Sequence, residues 1–255
     1  MTNEPLNIGV ITIFPEMFES ILSSGIVAKA INNNLVSITF SNPRDFAEDN
    51  RKTIDEKVFG GGPGMLMMAP PLEKSLKFLK KKLGDDSLVV YVSPQGKKFN
   101  NVLSKKVNKN NKIILICGRY EGIDERFIET FVDEEWSIGD YVLTGGELAS
   151  MVIIDSVTRF IPGALGDKCS VEEDSFENGL LDYPHYTKPR VYNGKAVPDI
   201  LLNGNHEKIL DWRQKQSLGR TWLRRPELLE NLALTDKQEK LLSEFIEERK
   251  NLMNE

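Results

Sequence analysis

The chain of 255 residues carries 33 Lys and Arg against 38 Asp and Glu, a formal charge of −5 at pH 7, with 40% hydrophobic and 28% charged residues. These are the proportions of a globular protein with cores for one large or two modest domains. Two cysteines, Cys117 and Cys169, in no C-x-x-C pattern give neither a disulfide framework nor a zinc site, and no apolar run nears the roughly 18 residues of a membrane span.

In chain order, Asn3 and Glu4 lead into a strand-like run, Leu6 to Phe14, rather than a signal peptide. A cytoplasmic, reduced protein is therefore expected, with no membrane association. Pro15 suits a first helical turn, and a helix is expected over Glu16–Ile31, followed by a strand over Leu35–Phe40. The cluster Gly60-Gly61-Gly62-Pro63-Gly64 comes next, phosphate-friendly in composition but without Lys-Ser/Thr; alone it reads as a surface loop. Helix Pro71–Leu83, strand Leu88–Val92, helix Asn101–Val107, strand Ile113–Cys117 and helices Asp124–Val132 and Glu147–Phe160 complete an alternating series. That alternation predicts an α/β fold with a mainly parallel sheet.

Residues 167–204 are polar, hold Gly179, Pro184, Pro189, Gly194, Pro198 and Gly204, and lack periodicity, as expected of a linker. From Asn205, a plausible N-cap, the pattern is helical; Thr235 with Gln238 is a capping-box signature. The expected organisation is an α/β domain over 1–166, a linker over 167–204 and a small all-helical domain over 205–255.

Three glycine-bearing loops stand out. Tyr91-Val92-Ser93-Pro94-Gln95-Gly96 and Cys117-Gly118-Arg119-Tyr120-Glu121-Gly122 each follow a short Val/Ile-rich run, and Glu134 to Glu147 precedes a long apolar helix. Glycines there permit positive φ and let a ligand approach the backbone. The carboxyl ends of parallel strands are where open α/β sheets bind ligands, so three such loops point to one pocket rather than three unrelated turns. No G-x-G-x-x-G and no G-x-x-x-x-G-K-[ST] occurs, which removes the common dinucleotide and P-loop sites. Toward the C-terminus Lys208, Arg213, Lys215, Arg220, Arg224 and Arg225 outnumber Glu207 and Asp211, with Trp212 and Trp222 among them. That is either a solvated helix face or a phosphate-contacting surface.

Several segments carry a closer resemblance: DEKVFGGGPGM from Asp55, YVSPQG from Tyr91, CGRYEGIDER from Cys117, SIGDYVLTGGEL from Ser137, DSVTRFIPG from Asp155, DSFENGLLDYPHYTKPR from Asp174 and WRQKQSLGRTWLRRPELLEN from Trp212. In this order they resemble the bacterial tRNA (guanine-N1)-methyltransferases of the SPOUT superfamily, which act on guanosine at position 37, beside the anticodon, and support reading-frame maintenance. The resemblance implies a trefoil-knotted methyltransferase domain and an obligate homodimer whose active sites draw on both subunits.

It also implies S-adenosylmethionine as methyl donor, held by Tyr91, Ser93, Pro94, Gly118, Tyr120, Glu121, Ile138, Gly139, Tyr141, Leu143, Gly145 and Gly146, with Glu121 toward the methionine end. Asp174 takes the general-base position and Arg159 the position that meets charge developing on O6. From spacing alone, Asp174 is one of three adjacent acids, Glu172-Glu173-Asp174, and Arg159 could be a salt-bridged helix residue. For the RNA the resemblance implies Asp55, Lys57, Asp182, His185, Arg220 and Arg224; His185 could equally stabilise a turn. Mg2+ is a family-level option for which no closed carboxylate cluster speaks. Phe59 stands where a tyrosine is usual, which puts any role of that hydroxyl in doubt. Another knotted methyltransferase with a different RNA, or an idle RNA-binding protein, is the alternative; the match through Asn231 and the presence of Asp174 and Arg159 weigh against both.

Overall fold

The computed structural model describes residues 4–165 and 174–254. Cys169 and the Glu172–Glu173 pair beside Asp174 lie outside the described residues. The chain divides into two compact units, Met1–Lys168 and Cys169–Glu255.

The first unit is built on a five-stranded sheet of β1 (Leu6–Ile11), β2 (Val36–Ser41), β5 (Leu88–Lys98), β6 (Lys112–Cys117) and β7 (Glu134–Ser137), in the order β2-β1-β6-β5-β7. Every pairing is parallel. The helices are α1 (Glu19–Ser23), α2 (Gly25–Asn32), α3 (Ala69–Leu83), α4 (Asn101–Asn110), α5 (Glu125–Phe131) and α6 (Glu147–Arg159). Alternation along each strand sends residues to two cores. Val90, Val92, Leu115 and Cys117 face one side with Val107 of α4 and Ala149, Ile153 and Val157 of α6. Val89, Tyr91, Ile114 and Ile116 face the other with Leu72, Leu76 and Leu79 of α3 and Phe127 of α5. A sheet buried on both faces needs apolar residues at consecutive positions, which is why IILIC, Ile113 to Cys117, reads as an unbroken apolar run. Each fully buried Leu contributes about 1.5–3 kcal/mol. Gly9 lets α3 lie close: a Cβ there would meet Leu79 Cδ1 at 3.0 Å and Ile114 Cγ1 at 3.1 Å.

Two local expectations are corrected. The first strand stops at Ile11, and Thr12 to Phe14 turn away to support a 3-10 turn, Pro15–Phe18. The helix expected over Glu16–Ile31 is broken at Ser24, which adopts an extended backbone before Gly25 at φ +78°. The Ser23-Ser24-Gly25 run is a poor helix former, and packing does not override it. The glycine cluster after Asp55 is the expected surface loop, here the exposed tip of an antiparallel hairpin of β3 (Asp55–Lys57) with β4 (Met65–Met67).

In the second unit α7 (His206–Arg224) and α8 (Asp236–Asn254) pack together, with a helical turn Glu227–Glu230 between them. Both expected caps form. The Asn205 carboxamide oxygen accepts from Lys208 N at 3.1 Å, and Thr235 and Gln238 exchange bonds, Thr235 N to Gln238 Oε1 at 2.9 Å and Gln238 N to Thr235 Oγ1 at 3.3 Å. Gly219 permits the helix contact, since a Cβ would fall 2.4 Å from the Phe245 ring. The described part of the expected linker belongs to this unit: Leu181 N donates to Thr221 Oγ1 at 2.9 Å, Ser217 Oγ donates to Leu181 O, and Val191–Tyr192 pairs with Lys195–Ala196 in a short hairpin. No described helix is long and apolar enough to cross a membrane.

Candidate functional site

Strands β6, β5 and β7 are neighbours, so the loops at their carboxyl ends converge. Strand β5 contributes through an irregularity. Val92 and Lys97 both register with Trp136, and Ser93–Gly96 loop out between them. Ser93 Oγ accepts from Gln95 N at 3.2 Å and shapes that excursion. After β7, Ser137 Oγ donates to Gly139 O at 3.1 Å and accepts from Gly139 N at 3.2 Å, folding the next loop back on itself. The loops enclose a cavity of about 330 Å³, at the lower end of the range for small-molecule sites. Every residue expected at a donor site, from Tyr91 through Gly146, lines it, together with Val92, Gln95, Arg119, Trp136 and Val142.

Gly139 takes the expected positive φ of +150°, and Gly145 and Gly146, besides lining the cavity, serve a second purpose. A Cβ on Gly145 would fall 2.2 Å from Arg119 Nε, and one on Gly146 would fall 2.8 Å from Cys117 Cα. They let the two loops lie against each other, where Gly146 N donates to Gly118 O at 3.0 Å and Arg119 bridges antiparallel to Gly145. The wall is loop stacked on loop, and the ligand space lies inside it.

Around this wall the ionisable groups are fixed. Tyr91 is buried, and that burial, reinforced by Glu135 and Glu125, pushes its hydroxyl up to about 12, so it is a neutral phenol at physiological pH. Burial, with the Glu147 charge second, pushes the Cys117 thiol well up; it contacts Ser150 Oγ at 3.1 Å and is no nucleophile. Trp136 is fully buried, donates Nε1 to Glu134 Oε2 at 2.9 Å and packs on Phe99 with ring centroids 5.4 Å apart. Burial raises the Glu134 carboxyl, but Lys106 and that indole N–H outweigh it and hold it low.

The cavity is tied to the β3–β4 hairpin. Glu121 N donates to Met65 O at 3.0 Å, Met67 N to Gly122 O at 3.0 Å and Asp124 N to Met67 O at 3.0 Å. Gly64 makes room for Glu121, whose Oε1 would lie 2.3 Å from a Cβ there. Asp55 is half-buried at the base of the hairpin, Lys57 is exposed, and Phe59 near the tip is 95% exposed.

Arg159 closes α6 in the first unit, and Asp174 lies in the second. Asp174 lines a further cavity of about 360 Å³ together with Asp182, Tyr183, Arg213, Ser217 and Gln238. Asp182 is engaged locally: Oδ1 accepts from Tyr183 N at 2.7 Å and Oδ2 meets His185 Nε2 at 2.7 Å. His185 also packs on the Tyr183 ring, centroids 4.6 Å apart. Arg220 is half-buried on α7 and Arg224 is exposed in its last turn. Among the described residues no group of three or more His, Cys, Asp or Glu could hold a metal ion.

Sequence reasoning missed Thr12, Arg119 and Glu147. Arg119 and Glu147 both stood inside segments already singled out, with no role assigned to either, and nothing marked Thr12.

The family described as tRNA (Guanine-1)-methyltransferase TrmD matches residues 6–231. A tRNA (guanine-N(1)-)-methyltransferase of Vibrio cholerae is 58% identical over 244 residues, spanning 96% of this chain and 99% of the relative. The protein of that name from Photorhabdus laumondii is 60% identical over 238 residues, 93% of this chain and 95% of its own. The one from Mannheimia succiniciproducens is 58% identical over 240 residues, 94% of each.

Proposed function

Because the chain belongs to the tRNA (guanine-1)-methyltransferase family, we propose that it transfers the methyl group of S-adenosylmethionine to N1 of guanosine 37 in tRNA. The observation that carries this reading is the 330 Å³ cavity lined by glycine-bearing loops at the ends of three parallel strands. Backbone amides and carbonyls suit the alternating donors and acceptors of an adenine edge, and buried Tyr91, Val92 and Trp136 provide an apolar floor. Glu121 at the rim offers a carboxylate to the donor's ammonium.

When bound, the donor supplies an electrophilic methyl group on a sulfonium. The protein's part is proton management and alignment. Asp174 would accept the N1 proton as the methyl–N1 bond forms and the methyl–sulfur bond breaks to release a neutral thioether, so the ring leaves neutral and the carboxylate becomes a carboxylic acid that returns its proton to water. Arg159 donates to O6, where negative charge builds as the proton departs. Arg is the apt cation because its planar fork stays charged at every working pH. Lys57, Arg220 and Arg224 meet backbone phosphates, Asp55 and His185 lie by the target nucleotide, and Asp182 orders the chain around it. The same reading includes a trefoil knot in the first unit, a homodimer whose sites draw on both copies, and a cytoplasmic setting.

The test is methyl transfer from labelled S-adenosylmethionine to two tRNA transcripts, one with guanosine and one with adenosine at position 37. Label in the first alone, mapped to N1 by nucleoside mass spectrometry, is the expected result. Donor binding with no incorporation into either would overturn the substrate assignment. Chelation by EDTA in the same assay tests Mg2+: loss of turnover restored by Mg2+ marks the ion as an assistant.

A further inference from the structure

Behind the cavity wall lies a charge that the proposed chemistry does not use. Glu147, the first residue of α6, is fully buried. Its Oε1 accepts from Thr12 Oγ1 at 2.9 Å and its Oε2 from Arg119 Nε at 2.9 Å. Thr12 Oγ1 in turn accepts from Phe14 N at 3.0 Å. Arg119 spreads further: Nη1 donates to Thr144 O at 3.3 Å, Nη2 approaches Met17 Sδ at 3.3 Å, and the guanidinium sits 4.7 Å from the Phe14 ring centroid. One carboxylate thus joins the end of β1, the loop after β6 and the loop before α6.

A buried ion pair is a poor way to gain stability, because desolvating both charges offsets most of their attraction, and a packed apolar pair serves as well. What an ion pair with fixed hydrogen bonds does supply is direction. Here the directed bonds end on the backbone of the loop that carries Gly145 and Gly146, opposite Gly118.

We propose that Glu147, with Arg119 and Thr12, positions the two glycine-bearing loops at the spacing that admits the methyl donor. Glu147 does not line the cavity and acts through Arg119, so it is a positioning residue. The inference rests on the donor assignment above and goes beyond it by separating the groups that touch donor from the group that sets the width of its site.

Two variants test this, and Arg119→Gln, alone and combined with the first, tests the pair. Glu147→Gln keeps size and an acceptor for Thr12 but removes the charge that holds Arg119; Thr12→Val removes one directed bond and keeps the shape. Donor binding is measured by calorimetry with S-adenosylmethionine at a temperature where circular dichroism shows each variant folded, alongside steady-state kinetics. The expected result is a donor Kd and donor KM raised about ten-fold or more in Glu147→Gln and by a smaller factor in Thr12→Val. The kcat at saturating donor should stay within about three-fold of wild type, as uniform loss of donor binding requires. Adding Arg119→Gln to Glu147→Gln should cost less than the two single effects multiplied, since the pair acts as a unit. A merely structural role would lower the melting temperature and leave Kd of the folded protein unchanged, and that result overturns the proposal. If Glu147→Gln does not fold, Thr12→Val decides alone: wild-type Kd overturns the inference, a raised Kd with unchanged kcat supports it. Folded wild-type protein that binds no S-adenosylmethionine would instead remove the donor assignment, and the positioning role with it.

Discussion

Gly96→Ala is the most demanding single perturbation of the cavity, because what blocks it is backbone. A Cβ at 96 would stand 2.3 Å from Glu135 C, 2.4 Å from Trp136 N and 2.5 Å from Glu135 O. Reaching ordinary contact, at about 3.4 Å or beyond, requires β5 and β7 to part by roughly 1 Å. No rotamer change can provide that. The sheet either loses its Lys97–Trp136 register or strains, and overpacking of this kind costs about 1–3 kcal/mol, with backbone on both sides placing it at the upper end. For a unit of this size about 3 kcal/mol corresponds to a fall in Tm of roughly 6–12 °C. Gly61→Ala is the control: Gly61 has φ +79° with nothing within 4 Å of an added Cβ. Its backbone strain, about 1–2 kcal/mol, falls on a hairpin tip that can open locally, so global melting should hardly move. Calorimetric melting of the two variants, followed by donor binding, checks both. The loop Ser93–Gln95 hangs on the displaced segment, so Gly96→Ala should weaken donor binding as well. Equal melting temperatures for the two variants would refute the close-approach argument and with it the looped-out geometry of β5.

Three further outcomes follow from the site. Asp174→Ala should cut turnover by about 10²-fold or more while leaving donor affinity intact, read by single-turnover kinetics and calorimetry; lost donor affinity would make the residue structural. Tyr91 keeps its proton more tightly when folded, its hydroxyl standing near 12 against an ordinary 10, so its contribution is full below pH 10 and disappears as pH rises toward 12. That amounts to about 3 kcal/mol, and denaturation midpoints between pH 9 and 12 should fall less steeply in Tyr91→Phe than in wild type. Arg224→Ala, at an exposed position, should leave melting unchanged, weaken tRNA binding a few-fold, and reduce the slope of log affinity against log salt by about 1.

What was legible in the sequence was what is local. Apolar runs in LVVYV and IILIC announce strands buried on both faces, and turn residues after each mark where loops begin, so the loops could be located before any coordinates, while the residues expected within them came from the family resemblance. Strand β7 escaped because four residues beginning Glu-Glu carry no apolar run; Glu134 is admitted to the sheet by Lys106 and the Trp136 indole. The β3–β4 hairpin escaped for a similar reason, since three residues such as DEK give no alternation to count.

The supporting contacts were illegible for a deeper reason. Thr12 and Glu147 are 135 positions apart, and Arg119 lies 28 positions before Glu147. No window that reads periodicity or capping spans such distances. An acid at the first position of a helix also has a sufficient local explanation in the helix dipole, which removes any reason to seek a partner. The parallel sheet is what makes the distance possible: because β6 inserts between β1 and β5, the ends of chain segments remote in sequence become neighbours at one edge. A cavity built at that edge has an inner surface written in short motifs, while its outer support couples two residues of those motifs, Arg119 and Glu147, to Thr12, which stands in none. The glycines are legible and Glu147 is not, although Gly145 would have no room to approach Arg119 if it carried a side chain, and Arg119 would have no counter-charge without Glu147. A substitution outside every motif, at Thr12, can therefore still disturb the site, and the first place to look for such changes is behind the wall rather than on it.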